Sequence, residues 1–290
     1  MVTVKALACE LPSQLGLPLS RLQVPDIRAE MVKRGLVAQI SGTTIWRWLS
    51  ADAIRPWAHR SWIFPRDPDF EAKAVRVLDL YAGSWEGQRL RADEFVISAD
   101  EKTSIQARAR TAASMPPRPR HAMRVEHEYD RRGALDYMAA WDVHRAKLFG
   151  RFESTTGIAA FTRLAQQVMA VEPYASARRV FWVVDNGSSH RGHKAATRLV
   201  QAWPNATLVH LPVHASWLNQ IEIYFSIIQR KVLTPNDFSD LDEVQARLAT
   251  FERRYQEAAA PFEWKFTRDD LGRLLRRLRR NVGSPASQAS

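Results

Sequence analysis

In 290 residues the chain has one cysteine, Cys9. That rules out an intrachain disulfide and any zinc site built on cysteines. Long apolar runs are missing too. No stretch approaches the ~18–20 consecutive apolar residues that span a bilayer. The opening Met1-Val-Thr-Val-Lys5 lacks the charged segment and following apolar stretch of a secretory leader. Internal repeats are absent, which excludes solenoid architectures. The expectation is a soluble protein of a reducing compartment.

What is present is positive charge. Lys and Arg number 42 against 31 Asp and Glu, a formal net charge of +11. Such a balance favours a polyanionic partner, with nucleic acid ahead of an anionic membrane surface. Apolar residues make up 46% of the chain, enough for a sizeable core, and the length suits one large domain or two modest ones.

Residues 1–60 read as helical. Val24, Ile27 and Met31 form one apolar stripe, Gly35 ends it, and Ser41 offers an N-cap before a second stripe of Ile45, Trp48 and Leu49. Residues 61–93 read as a connector carrying a helix over 70–81. From Glu94 the pattern turns β. Phe95–Ala99 predicts a short strand ending in Asp100, and segments near 122–129, 134–143 and 146–153 predict an antiparallel meander. A helix over 157–171 follows, then a buried strand over 180–184 ending in Asp185. A helix over 191–202, a strand over 206–211 and helices over 217–232, 240–258 and 268–280 complete the chain. Residues 284–290 read as a disordered tail. The pattern by itself specifies a mixed α/β domain with an antiparallel part.

Two carboxylates thus follow buried strand runs, where a side chain projects into the crevice at the sheet's edge. A third, Glu222, sits on an apolar helix among Ile221, Ile223 and Phe225, costly to bury unless paired or bound to a metal. Asp and Glu are the hard oxygen donors that Mg²⁺ takes, and two such ions serve phosphoryl transfer on DNA. Blander readings compete. Asp185-Asn186-Gly187 is a good turn signal by itself, and Glu101 stands beside Asp100 as a rival ligand.

The flanking residues carry more information. Ser98-Ala-Asp-Glu-Lys-Thr103, Val184-Asp-Asn-Gly-Ser-Ser-His190 and Leu211-Pro-Val-His-Ala-Ser-Trp-Leu-Asn-Gln-Ile-Glu222 resemble the three signature blocks of DDE transposases, in particular the bacterial insertion-sequence branch of the mariner superfamily. The later two acids leave 36 residues between them, near the spacing typical of that superfamily. The resemblance runs from about residue 20 to 280. The third block is its most specific part, because Pro-x-His-x-Ser-x-x-Asn-x-x-Glu has no generic structural explanation.

The resemblance implies a ribonuclease H-like α/β catalytic domain over 94–283, a mixed sheet flanked by helices. A small all-α helix-turn-helix region over 1–60 precedes it. It implies Asp100, Asp185 and Glu222 as catalytic metal ligands for Mg²⁺ or Mn²⁺, two ions in all. It further implies cleavage at transposon ends and attack of the freed 3′-hydroxyl on target DNA, commonly at TA. The protein would work as a homodimer on double-stranded DNA in the bacterial cytoplasm and nucleoid. Asn186, His190, His214 and Asn219 are candidates for orienting water, ligands or phosphates. Trp217 either packs beneath the site or stacks on a base.

Thr43, Thr44 and Arg47 would face outward from a recognition helix, with Arg55, Arg34 and Arg60 as phosphate contacts. Lys102, Arg118 and Arg120 belong to an acid-free stretch, 102–124, expected as an extended DNA-contacting loop because of Pro116, Pro117 and Pro119. The last helix has a basic face, for which a plain solvated surface and a DNA or dimer contact are about equally good readings. Relatives carry two helical modules before the catalytic domain, and here one is expected to be missing, shortened or encoded separately. The competing functions are a catalytically impaired or truncated transposase acting as a DNA-binding repressor, and a ribonuclease H-like nuclease without strand transfer.

Overall fold

The computed structural model describes residues 1–59, 65–187 and 192–282. The chain forms two compact units, residues 1–64 and 65–290. In the first, α1 (Val2–Ala8), α2 (Val24–Lys33) and α3 (Gly42–Ala51) enclose a small core of Val4, Leu7, Leu22, Ile27, Met31, Ile45 and Leu49. Ser41 caps α3 as expected: its hydroxyl accepts the Thr44 N–H at 3.0 Å.

The second unit begins with α4 (Phe70–Tyr81), a short hairpin of β1 (Ser84–Trp85) and β2 (Gln88–Arg89), and then β3 (Glu94–Ala109). β4 (Asp130–Asp142), β5 (Lys147–Glu153), α5 (Ile158–Met169), β6 (Arg179–Val184) and α6 (Gly192–Ala202) follow. β7 (Ala206–His210), α7 (Ile221–Lys231), α8 (Leu241–Glu257) and α9 (Arg268–Val282) complete it. The main sheet has the order β5-β4-β3-β6-β7, antiparallel through β5-β4-β3 and parallel through β3-β6-β7. Among the described residues, no helix is long and apolar enough to cross a membrane.

Strand periodicity sorts the core into two layers. Phe95, Ile97 and Ala99 of β3 face α5 and α6, together with Trp182 and Val184 of β6. Val96 of β3 and Phe181 and Val183 of β6 face α4, α7, α8 and α9. A bulge lies between Lys102 and Ile105 of β3 and shifts the parity, so that Ile105 and Ala107 join the second layer.

The structure corrects three expectations. Asp100 is not at the end of a strand: β3 runs on to Ala109 because β4 pairs with it all the way, including Asp100 against Ala139. The meander's first strand is that extension of β3, and residues 122–129 form no strand. From Pro65 onward the expected connector belongs to the second unit, because Phe70, Ala74, Val77, Leu78 and Leu80 of α4 are buried in its core. The tail 284–290 lies outside the described residues.

β5 is an edge strand, yet side chains occupy its outward backbone groups. Glu252 accepts the Gly150 N–H at 3.1 Å, Gln167 donates to the Gly150 carbonyl at 3.2 Å, and Gln256 donates to that of Leu148 at 2.7 Å. Tyr137 O–H also donates to Glu252, at 2.8 Å, and both groups crowd the space a Cβ on Gly150 would fill. Gly150→Ala is therefore expected to lower stability by about 2–3 kcal/mol, read as a shift in the denaturant midpoint. An unchanged midpoint would show that Tyr137 and Glu252 yield freely.

Candidate active site

β3 and β6 run parallel in register from Glu94 opposite Arg179 to Ser98 opposite Val183. β6 then stops at Val184 while β3 continues. A notch therefore opens beside β3 at the carboxyl end of β6. Asp100 and Asp185 stand at this notch, and continuing the register two places sets them side by side on neighbouring strands, about 5 Å apart backbone to backbone. Asp100 shares the parity of Val96, and Asp185 that of Phe181 and Val183, so both project toward the layer containing α7.

Glu222, in the first turn of α7, faces them, and a buried polar cluster fixes that helix start. Ser98 O–H donates to Asn219 Oδ1, and the Ile221 N–H donates to Ser98 Oγ at 2.9 Å. Asn219 Nδ2 donates to the Ala99 carbonyl and to Asp100 Oδ2, both at 3.1 Å. Asn219 thus joins the acid-bearing helix to the acid-bearing strand and aims one carboxylate itself. Its neighbouring turn is held from α4, where Tyr81 O–H donates to the Leu218 carbonyl at 2.9 Å.

The acids interact as a group. Burial pushes the Asp100 carboxyl up to about 7, and the negative charges of Asp185, Glu101 and Glu222 push it the same way. The Glu101 N–H, donating to Asp100 Oδ1 at 2.9 Å, opposes that rise. Glu222 is also raised, first by desolvation and further by Asp185, while the Lys102 ammonium pulls it down. Desolvation lowers Lys102 in turn. Asp185 Oδ1 accepts the Gly187 N–H at 2.7 Å, so the turn expected there and the acid role occupy the same residue.

The other candidates divide. Asn186 Nδ2 donates to the Leu211 carbonyl at 2.7 Å and ties the loop after β6 to the segment after β7. His214 is exposed with φ +61 in that segment. Trp217 packs edge-on against Phe266, ring centres 5.0 Å apart. His190 lies outside the described residues, as does Arg60. Lys102 is not in a loop: it is half-buried in β3 beside Glu222. Arg118 and Arg120 are exposed at the tip of a narrow turn closed by backbone bridges Met115–Arg124 and Arg118–His121. Arg110 anchors that loop through the carbonyls of Glu126 and His127, at 2.6 and 2.9 Å.

In the N-terminal unit, Thr43 and Arg47 are exposed on α3, and Arg55 is exposed beyond it. Thr44 is half-buried, with its hydroxyl 2.8 Å from that of Ser41, so it serves the cap. Arg34 is held by the buried Glu30 at 2.6 Å. Sequence reasoning missed Trp46, which is 55% exposed on the same face as Thr43 and Arg47. It also passed over Ser98, a lone hydroxyl in an apolar strand run with the parity of Asp100.

A family model described as DDE superfamily endonuclease matches residues 96–245, just over half the chain and including all three acids. No curated protein matches. Among solved structures, the chain is similar to a Mos1 transposase paired-end complex with left transposon end, at 12% identity over 96% of this chain and 77% of that one, with a TM-score of 0.52. It is likewise similar to a Mos1 mariner paired end complex with Mn, at 12% identity over 91% and 79%, TM-score 0.51. At such identity the likeness is one of fold, and the fold is the ribonuclease H-like one that the sequence blocks implied.

Between about pH 4 and 7 the folded chain holds a proton on Asp100 that the unfolded chain has released. Stability contributed by this group therefore falls as pH rises through that interval. Asp185→Asn removes a neighbouring charge and should make the metal-free protein more stable at about pH 8, by on the order of 1–2 kcal/mol, with little difference near pH 4. Thermal midpoints at the two pH values check this, and equal differences at both refute it. Asn219→Ala, which leaves Ser98, Ala99 and Asp100 short of partners, should cost about 2–3 kcal/mol, read from denaturant unfolding.

Proposed function

The chain belongs to the DDE superfamily endonucleases, and on that premise we propose that it is a DNA transposase of the bacterial insertion-sequence branch of the mariner superfamily. It cuts at transposon ends and transfers the freed 3′-hydroxyl into target DNA, commonly at TA, as a homodimer on double-stranded DNA in the nucleoid. The observation that carries this reading is the placement of three carboxylates from distant parts of the chain at one notch in the sheet.

The donor set fits divalent cations such as Mg²⁺ or Mn²⁺. Its groups are hard oxygens, crowded and mutually repelling, with one half-buried lysine for compensation. Among the described residues, no three His, Cys, Asp or Glu side chains close on one point as a single-ion cage. Mg²⁺ keeps waters and substrate phosphates as further ligands, so few protein donors are needed. Asp100, Asp185 and Glu222 would hold two such ions. When bound, the ions lower the pKa of an attacking oxygen and stabilise the leaving 3′-oxygen.

The chain's own residues supply orientation. Asn219 fixes Asp100, and its neighbours Gln220 and Ile221 start the helix that presents Glu222. Lys102 puts a positive charge beside Glu222 on the face that receives the scissile phosphate. Asn186 holds the loop after Asp185. The exposed Thr43, Trp46 and Arg47 of α3 form the reader of the transposon end, Arg47 reaching a guanine edge or a phosphate.

The test is incubation of the full chain with duplexes ending in its own element's terminal repeats, in Mg²⁺ or Mn²⁺. Specific 3′-end cleavage is expected, lost in Asp185→Ala and in EDTA and restored by added metal. Binding without cleavage in either metal would sink the enzyme reading and leave a repressor.

A further inference from the structure

The strongest surface that the site does not use lies on α9. An open depression of about 510 Å³ is lined by Phe266, Asp270, Arg273, Arg276, Arg277 and Arg280. One side of the helix is committed to the core through Leu271 and Leu278. The other side carries guanidinium groups, and their partners differ in kind. Arg268 pairs with Asp79, and Arg279 with Glu71 at 3.2 Å, both of which fasten α9 to α4. Arg273 pairs with Asp270, whose carboxylate also accepts the Thr267 N–H at 2.9 Å and hydroxyl at 2.7 Å to cap the helix. For Arg276, Arg277 and Arg280 no carboxylate partner occurs among the described residues, and all three are exposed.

We propose that Arg276, Arg277 and Arg280 grip the phosphate backbone of duplex DNA that continues past the carboxylate site. Three like charges on adjoining turns repel one another, and an array of anions relieves that repulsion. Guanidinium groups bind phosphate oxygens in a bidentate fork. From 276 to 280 the helix advances about 6 Å, over which a duplex presents three to four phosphates. The depression also has a packing link to the site. Phe266, at its start, packs on Trp217, whose turn leads directly into Asn219 and Glu222. The contact is to backbone alone, so it serves any sequence.

This inference rests on the acids being a DNA-processing centre, and binding in EDTA separates its failure from failure of that reading. The probe is a fluorescent duplex of random sequence, titrated with the full chain at several salt concentrations. Replacing the three arginines together (Arg276→Gln, Arg277→Gln, Arg280→Gln) should weaken binding at least about tenfold and flatten the slope of log affinity against log salt by about 2–3. The three Arg→Lys changes, which keep the charge, should stay within about threefold. Arg277→Glu alone gives the same readout if the triple variant unfolds. Affinity and slope within twofold of the parent overturn the proposal. So does a loss seen on anionic vesicles but not on duplex.

Discussion

The Asn219 amide directs its groups at the central strand, accepting from Ser98 and donating to the Ala99 carbonyl and to Asp100. These contacts span about 120 residues of sequence and close where no water competes. Buried and satisfied, such a network specifies one arrangement, because any shift of the helix strands several polar groups at once. The rest of the site follows from it. Glu222 lies three residues on from Asn219, so its place is set by the same bonds. The notch opposite exists because β6 stops while β3, held by β4, does not.

The acids themselves work against the fold. Desolvated like charges favour protonation or separation, and the Asn219 network and the sheet register prevent separation. What remains is an electrostatically strained centre, and bound cations would relieve it. On the proposed reading, function and stability are opposed at this one point, and the two apolar layers on either side of the sheet offset the cost.

The sequence exposed the elements whose signals are local. The helix over 70–81 was legible from its apolar spacing, Ser41 from capping chemistry, and the strand over 180–184 from its unbroken apolar run. The three acids were singled out chiefly through their flanking motifs. Features set by distant pairing were not. Beyond Asp100 the chain reads Glu-Lys-Thr-Ser, a poor strand by local preference, yet β4 enforces one there, and the bulge resets its parity. That same extension lifts Lys102 out of a supposed loop and sets it beside Glu222. The connector was misjudged for a related reason: the stripe on α4 was visible, but not the sheet layer that buries it.

The closed edge of β5 limits how copies of this protein can meet. An open strand edge offers a template along which another chain's strand can add without regard to sequence. Here Glu252, Gln167 and Gln256 occupy three of those backbone groups, at Leu148 and Gly150, which obstructs main-chain pairing along this border. On the proposed reading, assembly around DNA would then be negotiated through side-chain surfaces, which discriminate between partners. Were the protein concentrated on a polyanion, as proposed, this border would disfavour indiscriminate fibre-like stacking.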